Sequence, residues 1–213
     1  MSKPLYFHLF PLYTLFMQEA LYYKQLPEQK VKCILCPHNC LLANGKVGVC
    51  AVRKNINGHL YALTYAKVSS LNLDPIEKKP LYQYKPGTKI LSAGSLGCNL
   101  SCPFCQNWSI AQPKSCYHPW HPEEVVATLR EVSPVKLVNL ALSHQQFGNI
   151  GVAFTYNEPF IWFEYVLETA QLVKEKGLDN ILVTNGFVNQ EPLKELLPFI
   201  DAVNLDIKGF SNA

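Results

Sequence analysis

Charged residues are scarce in this sequence. Only 16% of the 213 residues are Asp, Glu, Lys or Arg, and the formal net charge at pH 7 is +3. Because the basic residues are also scattered, the sequence predicts no surface for nucleic acid. Hydrophobic residues make up 48% of the chain, which excludes a disordered protein and favours one sizeable core, or one core with a small module attached.

A long apolar run is also missing. The most apolar stretch, residues 4–17, is shorter than the about 20 residues that a membrane-spanning helix needs, and Pro11 interrupts it. The stretch has neither a strongly basic start nor a small-residue cleavage site, so it does not fit a signal peptide. We therefore predict that residues 1–17 form an apolar N-terminal extension and that the protein has no membrane partner.

The cysteines are too sparse for a secreted disulfide scaffold, since there are eight in the whole chain. Seven of them fall into two clusters, and the close spacing within each cluster indicates metal ligation. The leftover cysteine is Cys116. The clusters are Cys33, Cys36, Cys40 and Cys50, with the spacing C-x2-C-x3-C-x9-C, and Cys98, Cys102 and Cys105, with the spacing C-x3-C-x2-C.

The two clusters differ in the number of thiols. Four thiols complete a closed site, and both structural zinc and a second iron–sulfur cluster fit the first set. Three thiols complete neither a structural zinc site nor a set of disulfides. On a [4Fe–4S] cluster, three cysteines leave one iron without a protein ligand, whereas ordinary electron-transfer clusters use four. The alternative for the second set is a zinc site completed by a remote residue such as Cys116 or His118.

Two regions differ in their sequence pattern. Residues 18–87 are rich in cysteine, tyrosine and turn signals, which predicts a Cys-rich module with one or two short strands within residues 59–73. From residue 88 onward, short apolar strand segments alternate with helical segments, which predicts parallel βαβ units. The predicted strands are 88–96, 149–156, 179–186 and 201–209, and the predicted helices are 121–132, 135–145, 159–177 and 190–199.

Polar side chains follow each of the four predicted strands. Because the carboxyl ends of parallel strands meet at one edge of a sheet, these side chains are expected to form a common site. The sets are the Cys98/Cys102/Cys105 cluster, Tyr156-Asn157-Glu158, Thr184-Asn185-Gly186 and Asp206-Ile207-Lys208.

The second cysteine cluster, with Phe104 before its last member, resembles the radical S-adenosylmethionine (SAM) superfamily. CPFCQNW, AFTYNEP, VTNGF and DIKGF are similar to the branch related to pyruvate formate-lyase activating enzyme, and closest to the radical SAM enzyme of the AmmeMemoRadiSam group. CILCPHNCLLANGKVGVCAVR, around the first cluster, also resembles that branch. The resemblance runs from about Gln18 to the end of the chain.

This resemblance implies an α/β fold, namely a partial (β/α) TIM-like barrel of parallel strands over residues 88–213 behind the N-terminal Cys-rich module. The family barrel has six βα units, and about four are found here. Four strands alone would leave a bare sheet edge, which complete proteins usually cover. We therefore expect a chain truncated at its C-terminus, or one that pairs with another molecule.

The resemblance also implies an activity. A radical SAM enzyme is an oxidoreductase that uses a [4Fe–4S] cluster to cleave SAM reductively, and the resulting 5′-deoxyadenosyl radical abstracts a hydrogen atom. A glycyl-radical activase does so from a protein or peptide substrate. The implied partners are SAM, that substrate and an electron donor such as flavodoxin or ferredoxin, and the implied location is the cytoplasm. The alternative is a non-catalytic metal-binding accessory, or a fragment that needs a partner.

Individual site roles follow from the same resemblance, although no catalytic residue is assigned. Cys98, Cys102 and Cys105 would ligate the cluster. Tyr156, Asn157 and Glu158 occupy the place of a Gly-Gly-Glu motif that receives the methionyl amine of SAM, and the larger Tyr-Asn pair would narrow that pocket. Val183 stands where glycyl-radical activases often carry an aspartate. The remaining implied contacts to SAM come from Phe104, near the adenine, and from Asn185, Asp206 and Lys208.

Simpler roles stay open for several of these residues. Glu158 fits a strand-to-helix turn, because Pro159 follows it at a first helical position. Asp206 and Lys208 lie two residues apart on a strand and therefore share one face, as a structural ion pair would. The first cysteine cluster could stabilise a module with little core of its own, or dock the protein substrate.

Overall fold

A computed structural model describes residues 17–209, and residues 1–16 and 210–213 lie outside it. The predicted N-terminal extension therefore falls almost wholly outside the described residues. Between residues 17 and 209, no helix is long and apolar enough to cross a membrane.

The N-terminal part of the chain forms short antiparallel strands. The strands are β1 (Gln18–Glu19), β2 (Tyr23–Leu26), β3 (Lys30–Cys33), β4 (Leu41–Leu42), β5 (Arg53–Ile56), β6 (His59–Ala62), β7 (Lys67–Val68) and β8 (Ser70–Pro75). One sheet has the strand order β2-β3-β4, and another has the order β1-β6-β5. The sequence HLYALTYAKVSSLNL, predicted as one or two strands, contributes to three.

The C-terminal part alternates strands with helices, as the sequence predicts. Its strands are β9 (Lys89–Gly94), β10 (Arg130–Glu131), β11 (Asn149–Phe154), β12 (Asp179–Thr184) and β13 (Ala202–Leu205). Its α-helices are α1 (Trp108–Ala111), α2 (Pro113–Cys116), α3 (Pro122–Ala127), α4 (Pro134–Ser143), α5 (Phe163–Glu175) and α6 (Gln190–Leu196). Short 3-10 helices occur at Ile76–Lys78, Gln145–Phe147, Pro159–Trp162 and Leu197–Phe199.

The main sheet has five strands in the order β13-β12-β11-β9-β8. The first four run parallel, which confirms the predicted parallel sheet. Closure of this sheet into a barrel remains a prediction. The register places the ends of β9, β11 and β12 side by side, since Phe154 is paired with both Ala93 and Leu182.

The fifth strand, β8, belongs to the region predicted as the Cys-rich module. It is antiparallel to β9 along its whole length, from Ser70 opposite Gly94 to Pro75 opposite Lys89. Its connection to β9 contains only a short 3-10 helix, whereas the crossover between parallel strands is usually an α-helix. The two predicted regions therefore share one sheet, while a domain boundary at residue 87 remains a prediction.

The helices α4 and α5 pack against the main sheet. Ser133 caps α4 by accepting a 3.3 Å hydrogen bond from the Lys136 backbone N–H, and Pro134 occupies the first turn. Trp162 and Tyr165 are fully buried and stack with their ring centroids 4.1 Å apart. This core holds the helical layer against the strands and leaves their carboxyl ends open to a cavity.

Candidate cluster and cofactor site

A cavity of about 360 Å3 lies at the carboxyl ends of the parallel strands. All ten residues of the predicted cluster and cofactor site line it, so the structure brings the whole set together. Their roles in binding remain predictions. These residues are Cys98, Cys102, Phe104, Cys105, Tyr156, Asn157, Glu158, Asn185, Asp206 and Lys208.

The loop after β9 presents the three cysteines. Asn157 holds the start of this loop, because its side chain accepts a 2.9 Å hydrogen bond from the Ser95 N–H and donates one of 2.9 Å to the Gly97 carbonyl. Burial raises the pKa of Cys98 to about 11. Without a bound cation, this thiol would therefore be protonated near neutral pH.

The donor set fits a [4Fe–4S] cluster with one open position. Three soft thiols line the cavity, and neither Cys116 nor His118, the two examples of a remote zinc ligand named above, is among the residues that line it. Among residues 17–209, no three His, Cys, Asp or Glu side chains already stand at metal-binding positions. These thiols would therefore have to rotate to bind a single metal ion.

Glu158 is buried in this cavity, and three protein donors hold its carboxylate. Its carboxylate accepts hydrogen bonds from the Thr184 hydroxyl at 2.7 Å, the Asn185 N–H at 2.8 Å and the Phe160 N–H at 3.0 Å. Burial raises the pKa of Glu158, and these donors oppose that shift. The carboxylate caps the helical turn that begins at Pro159, so the simpler turn role is present. Two carboxylate oxygens have about four acceptor positions, which leaves room for one further donor.

Asn185 links the end of β12 to the cysteine loop. Its side-chain amide donates a 2.9 Å hydrogen bond to the Asn99 side-chain oxygen and lies 3.8 Å from the Cys98 sulfur. Asn99 is itself buried and donates to the Phe187 carbonyl at 2.7 Å. Sequence reasoning missed Asn99. The sequence offered one indication of its role, namely its position directly after Cys98.

Tyr156 adopts a left-handed backbone conformation with φ of +71°. Its hydroxyl donates a 2.7 Å hydrogen bond to Asp74 on β8, and its carbonyl accepts one of 2.9 Å from Asn107. Burial and Asp74 raise the pKa of Tyr156 to about 12. Asp74 also forms an ion pair of 2.8 Å with Lys79, whose side chain is only 2% exposed. Sequence reasoning missed Asp74, Lys79 and Asn107, because nothing local connects them to Tyr156.

Asp206 and Lys208 form an ion pair of 2.9 Å at the side of the cavity. The structural pair considered from the sequence is therefore present, in a partly exposed form. Burial alone would lower the pKa of Lys208. The pKa is nevertheless raised, because Lys208 donates a hydrogen bond to the charged Asp206 carboxylate and lies near the Cys102 and Cys105 sulfurs. Phe104 is 64% exposed, which leaves its ring free to cover a ligand.

The first cysteine cluster lies apart from this cavity. Cys33, Cys36, Cys40 and Cys50 line a second, much smaller cavity together with Arg53. Cys33 and Cys50 are buried, and Cys36 and Cys40 are half-buried.

Comparison with known proteins gives two matches. Residues 94–213 match the family model of the radical SAM superfamily. The chain is 42% identical over 193 residues to an uncharacterized protein of Methanocaldococcus jannaschii, and the alignment covers 91% of this chain and 54% of that protein. The chain thus spans about half the length of this relative.

Proposed function

Because the chain belongs to the radical SAM superfamily, whose members use a [4Fe–4S] cluster and SAM, we propose that it binds the cluster through Cys98, Cys102 and Cys105 and binds SAM in the adjoining cavity. One observation supports this proposal above all others. Three thiols, a buried carboxylate, amide groups and an ion pair line the same cavity at the carboxyl ends of the parallel strands. With the cluster and SAM bound, the site would supply the one-electron reductive cleavage of SAM that is typical of the family.

The residues of this chain would orient the cofactor. Glu158 has one acceptor position left for the methionyl ammonium group, and its protein donors hold it in place. Lys208 and Asp206 offer opposite charges at the cavity side, suited to the carboxylate and to polar groups of the ribose. Phe104 would lie against the adenine. Asn157 has both polar side-chain atoms engaged by the cysteine loop, so we assign it to positioning that loop.

We further propose a protein or peptide substrate, as in the pyruvate formate-lyase activating enzyme branch. A cavity of about 360 Å3 matches the lower range for one small-molecule ligand, so a larger substrate would have to approach from outside. Exposed apolar side chains occur on or beside the segments that line the cavity: Phe104, Trp108, Leu205 and Ile207. Such a rim suits a protein partner. Flavodoxin or ferredoxin is the proposed electron donor.

Cleavage of SAM by the anaerobically reconstituted, dithionite-reduced chain tests this proposal. We expect methionine and 5′-deoxyadenosine in equal amounts, and no product from a variant with Cys98, Cys102 and Cys105 all changed to Ala. A Cys116→Ser variant should retain activity, because Cys116 is not among the cavity residues. Cluster-loaded protein that binds no SAM and releases no product would support the non-catalytic accessory role instead.

A further inference from the structure

The thiols of the first cysteine cluster come from two segments of the chain, residues 33–40 and Cys50. Cys33 ends β3, Cys36 and Cys40 lie in the loop before β4, and Cys50 precedes β5. All four line one cavity of about 10 Å3. The sulfurs of Cys40 and Cys50 each lie 3.7 Å from the point where a Cβ on Gly48 would stand, so both thiols lie next to the same residue.

Arg53 provides a second, independent observation. Its side chain is 2% exposed and pairs with the equally buried Glu164 through contacts of 2.6 and 3.0 Å. One guanidinium nitrogen, Nε, is buried without a hydrogen-bond partner among the described residues. Arg53 lines the same cavity as the four thiols. Since it is costly to leave a buried donor unpaired, an acceptor in this cavity, such as a thiolate sulfur, is expected to satisfy it.

We propose that Cys33, Cys36, Cys40 and Cys50 bind one zinc ion as a closed four-thiolate site, with Arg53 Nε–H donating to a thiolate sulfur. The proposal does not depend on the cluster or on SAM. Four thiols lose their protons when they bind the ion, and the resulting site carries two net negative charges next to the guanidinium. As in the larger cavity, the side chains must rotate to reach bonding distance, about 2.3 Å for Zn–S.

The size of the cavity favours zinc over a second iron–sulfur cluster. A volume of about 10 Å3 corresponds to a single water-sized sphere, which admits one ion but not a cube of four irons and four sulfides. The C-x2-C spacing of Cys33 and Cys36 is also typical of structural zinc sites. Leu35, Leu42 and Ile161 line the same cavity, so part of its wall is apolar.

This zinc ion would hold the Cys-rich loop against the larger site. His38 lies between Cys36 and Cys40, and its Nε2 is 2.7 Å from the carbonyl oxygen of Asn99, the residue after Cys98. The His38 ring also meets Phe187 edge-on, with centroids 5.1 Å apart. Asn189 donates to the Leu35 carbonyl at 3.0 Å. The proposed ion would therefore help to position the loop that carries Cys98.

Cobalt substitution tests the site without any reference to activity. The protein is the full chain with Cys98, Cys102 and Cys105 changed to Ala, so that only the four proposed ligands and Cys116 remain as thiols. We expect one Co2+ per chain, with the intense visible absorption of tetrahedral thiolate coordination, and displacement of Co2+ by Zn2+. Adding Cys116→Ser should change nothing, whereas adding Cys36→Ser and Cys40→Ser, the two less buried ligands, should abolish the signal.

Two further measurements keep this test decisive. If the Cys36/Cys40 variant does not fold, X-ray absorption on the zinc-loaded cluster-free variant replaces it, with four sulfur neighbours at about 2.3 Å expected. Three or fewer sulfurs, loss of cobalt binding with Cys116→Ser, or assembly of an iron–sulfur cluster in preference to zinc would each overturn the proposal. In the variant that lacks Cys98, Cys102 and Cys105, zinc should slow hydrogen exchange in residues 97–105, and unchanged exchange would contradict the positioning role.

Discussion

The hydroxyl of Thr184 donates a 2.7 Å hydrogen bond to the carboxylate of Glu158. This bond joins the end of β12 to the end of β11, and the Asn185 N–H strengthens the link with a second bond of 2.8 Å to the other carboxylate oxygen. Glu158 therefore does two things at once. It ties neighbouring strand ends together, and it presents a buried carboxylate to the cavity that the three cysteines line.

Replacing Glu158 should destabilise the protein even without any cofactor. Glu158→Ala leaves three donors, including the backbone N–H groups of Phe160 and Asn185, without their acceptor. We expect the free energy of unfolding to fall by about 2–4 kcal/mol. Glu158→Gln keeps one acceptor oxygen and should cost less. Urea denaturation of the cofactor-free variants measures both, and an Ala variant as stable as wild type would show that these bonds contribute little.

Asp74 should make the stability of the fold depend on pH in the acid range. Burial alone would raise the pKa of Asp74, but hydrogen bonds from Lys79, Lys78 and Tyr156 lower it well below the ordinary value. A carboxyl with a lowered pKa stabilises the fold above its unfolded pKa of about 3.9, and that contribution is lost as pH falls towards the folded pKa. Asp74→Asn should therefore flatten the decline in stability below about pH 4.

At neutral pH, the same Asp74→Asn variant should lose about 3–5 kcal/mol, because it leaves the buried Lys79 without its partner. Lys78→Ala is the matched control. Lys78 binds the same carboxylate at 2.9 Å but is 62% exposed, so its loss should cost less than about 1 kcal/mol. Urea denaturation measures both losses of stability. Equal losses for Asp74→Asn and Lys78→Ala would contradict the larger contribution expected of the buried Asp74–Lys79 pair.

Gly97 should be irreplaceable for a steric reason. Its φ is +86°, and an added Cβ would lie 2.3 Å from the Cys50 carbonyl oxygen and 3.0 Å from both Val52 methyl groups. Gly97→Ala should cost about 3 kcal/mol or more, since it adds a backbone clash to the strain of the left-handed conformation. Gly87 has a similar φ of +78° but nothing within 4 Å, so Gly87→Ala should cost about 1 kcal/mol. Thermal or urea unfolding measures the loss of stability in both variants. Equal losses would show that a clash with the Cys50 carbonyl oxygen does not add to the cost of Gly97→Ala.

The sequence was sufficient to predict the parallel strands and the polar residues that follow them. The reason is physical, since apolar strand segments alternating with helices leave few arrangements, and in those arrangements the strand ends converge. Contacts between distant segments could not be predicted in this way. Tyr156 meets Asp74 across 82 residues and Asn185 meets Asn99 across 86, and no local pattern specifies either pair.

The role of Asn157 illustrates the same limit. The family resemblance implied a contact of Asn157 with the cofactor, which remains a prediction, but no local pattern indicated that both of its polar side-chain atoms bind the backbone of the cysteine loop at 2.9 Å. Likewise, β8 could not be assigned to the main sheet from its own composition. Only its register against β9 shows where it belongs.

The most direct test of the central claim is electron paramagnetic resonance of the anaerobically reconstituted, dithionite-reduced chain, recorded with and without SAM. If Cys98, Cys102 and Cys105 hold a cluster with an open iron beside the Glu158 cavity, a low-spin cluster signal should appear and shift when SAM is added. The variant lacking these three cysteines should give no such signal. A signal that SAM leaves unchanged, or no cluster after full iron and sulfide loading, would contradict the account.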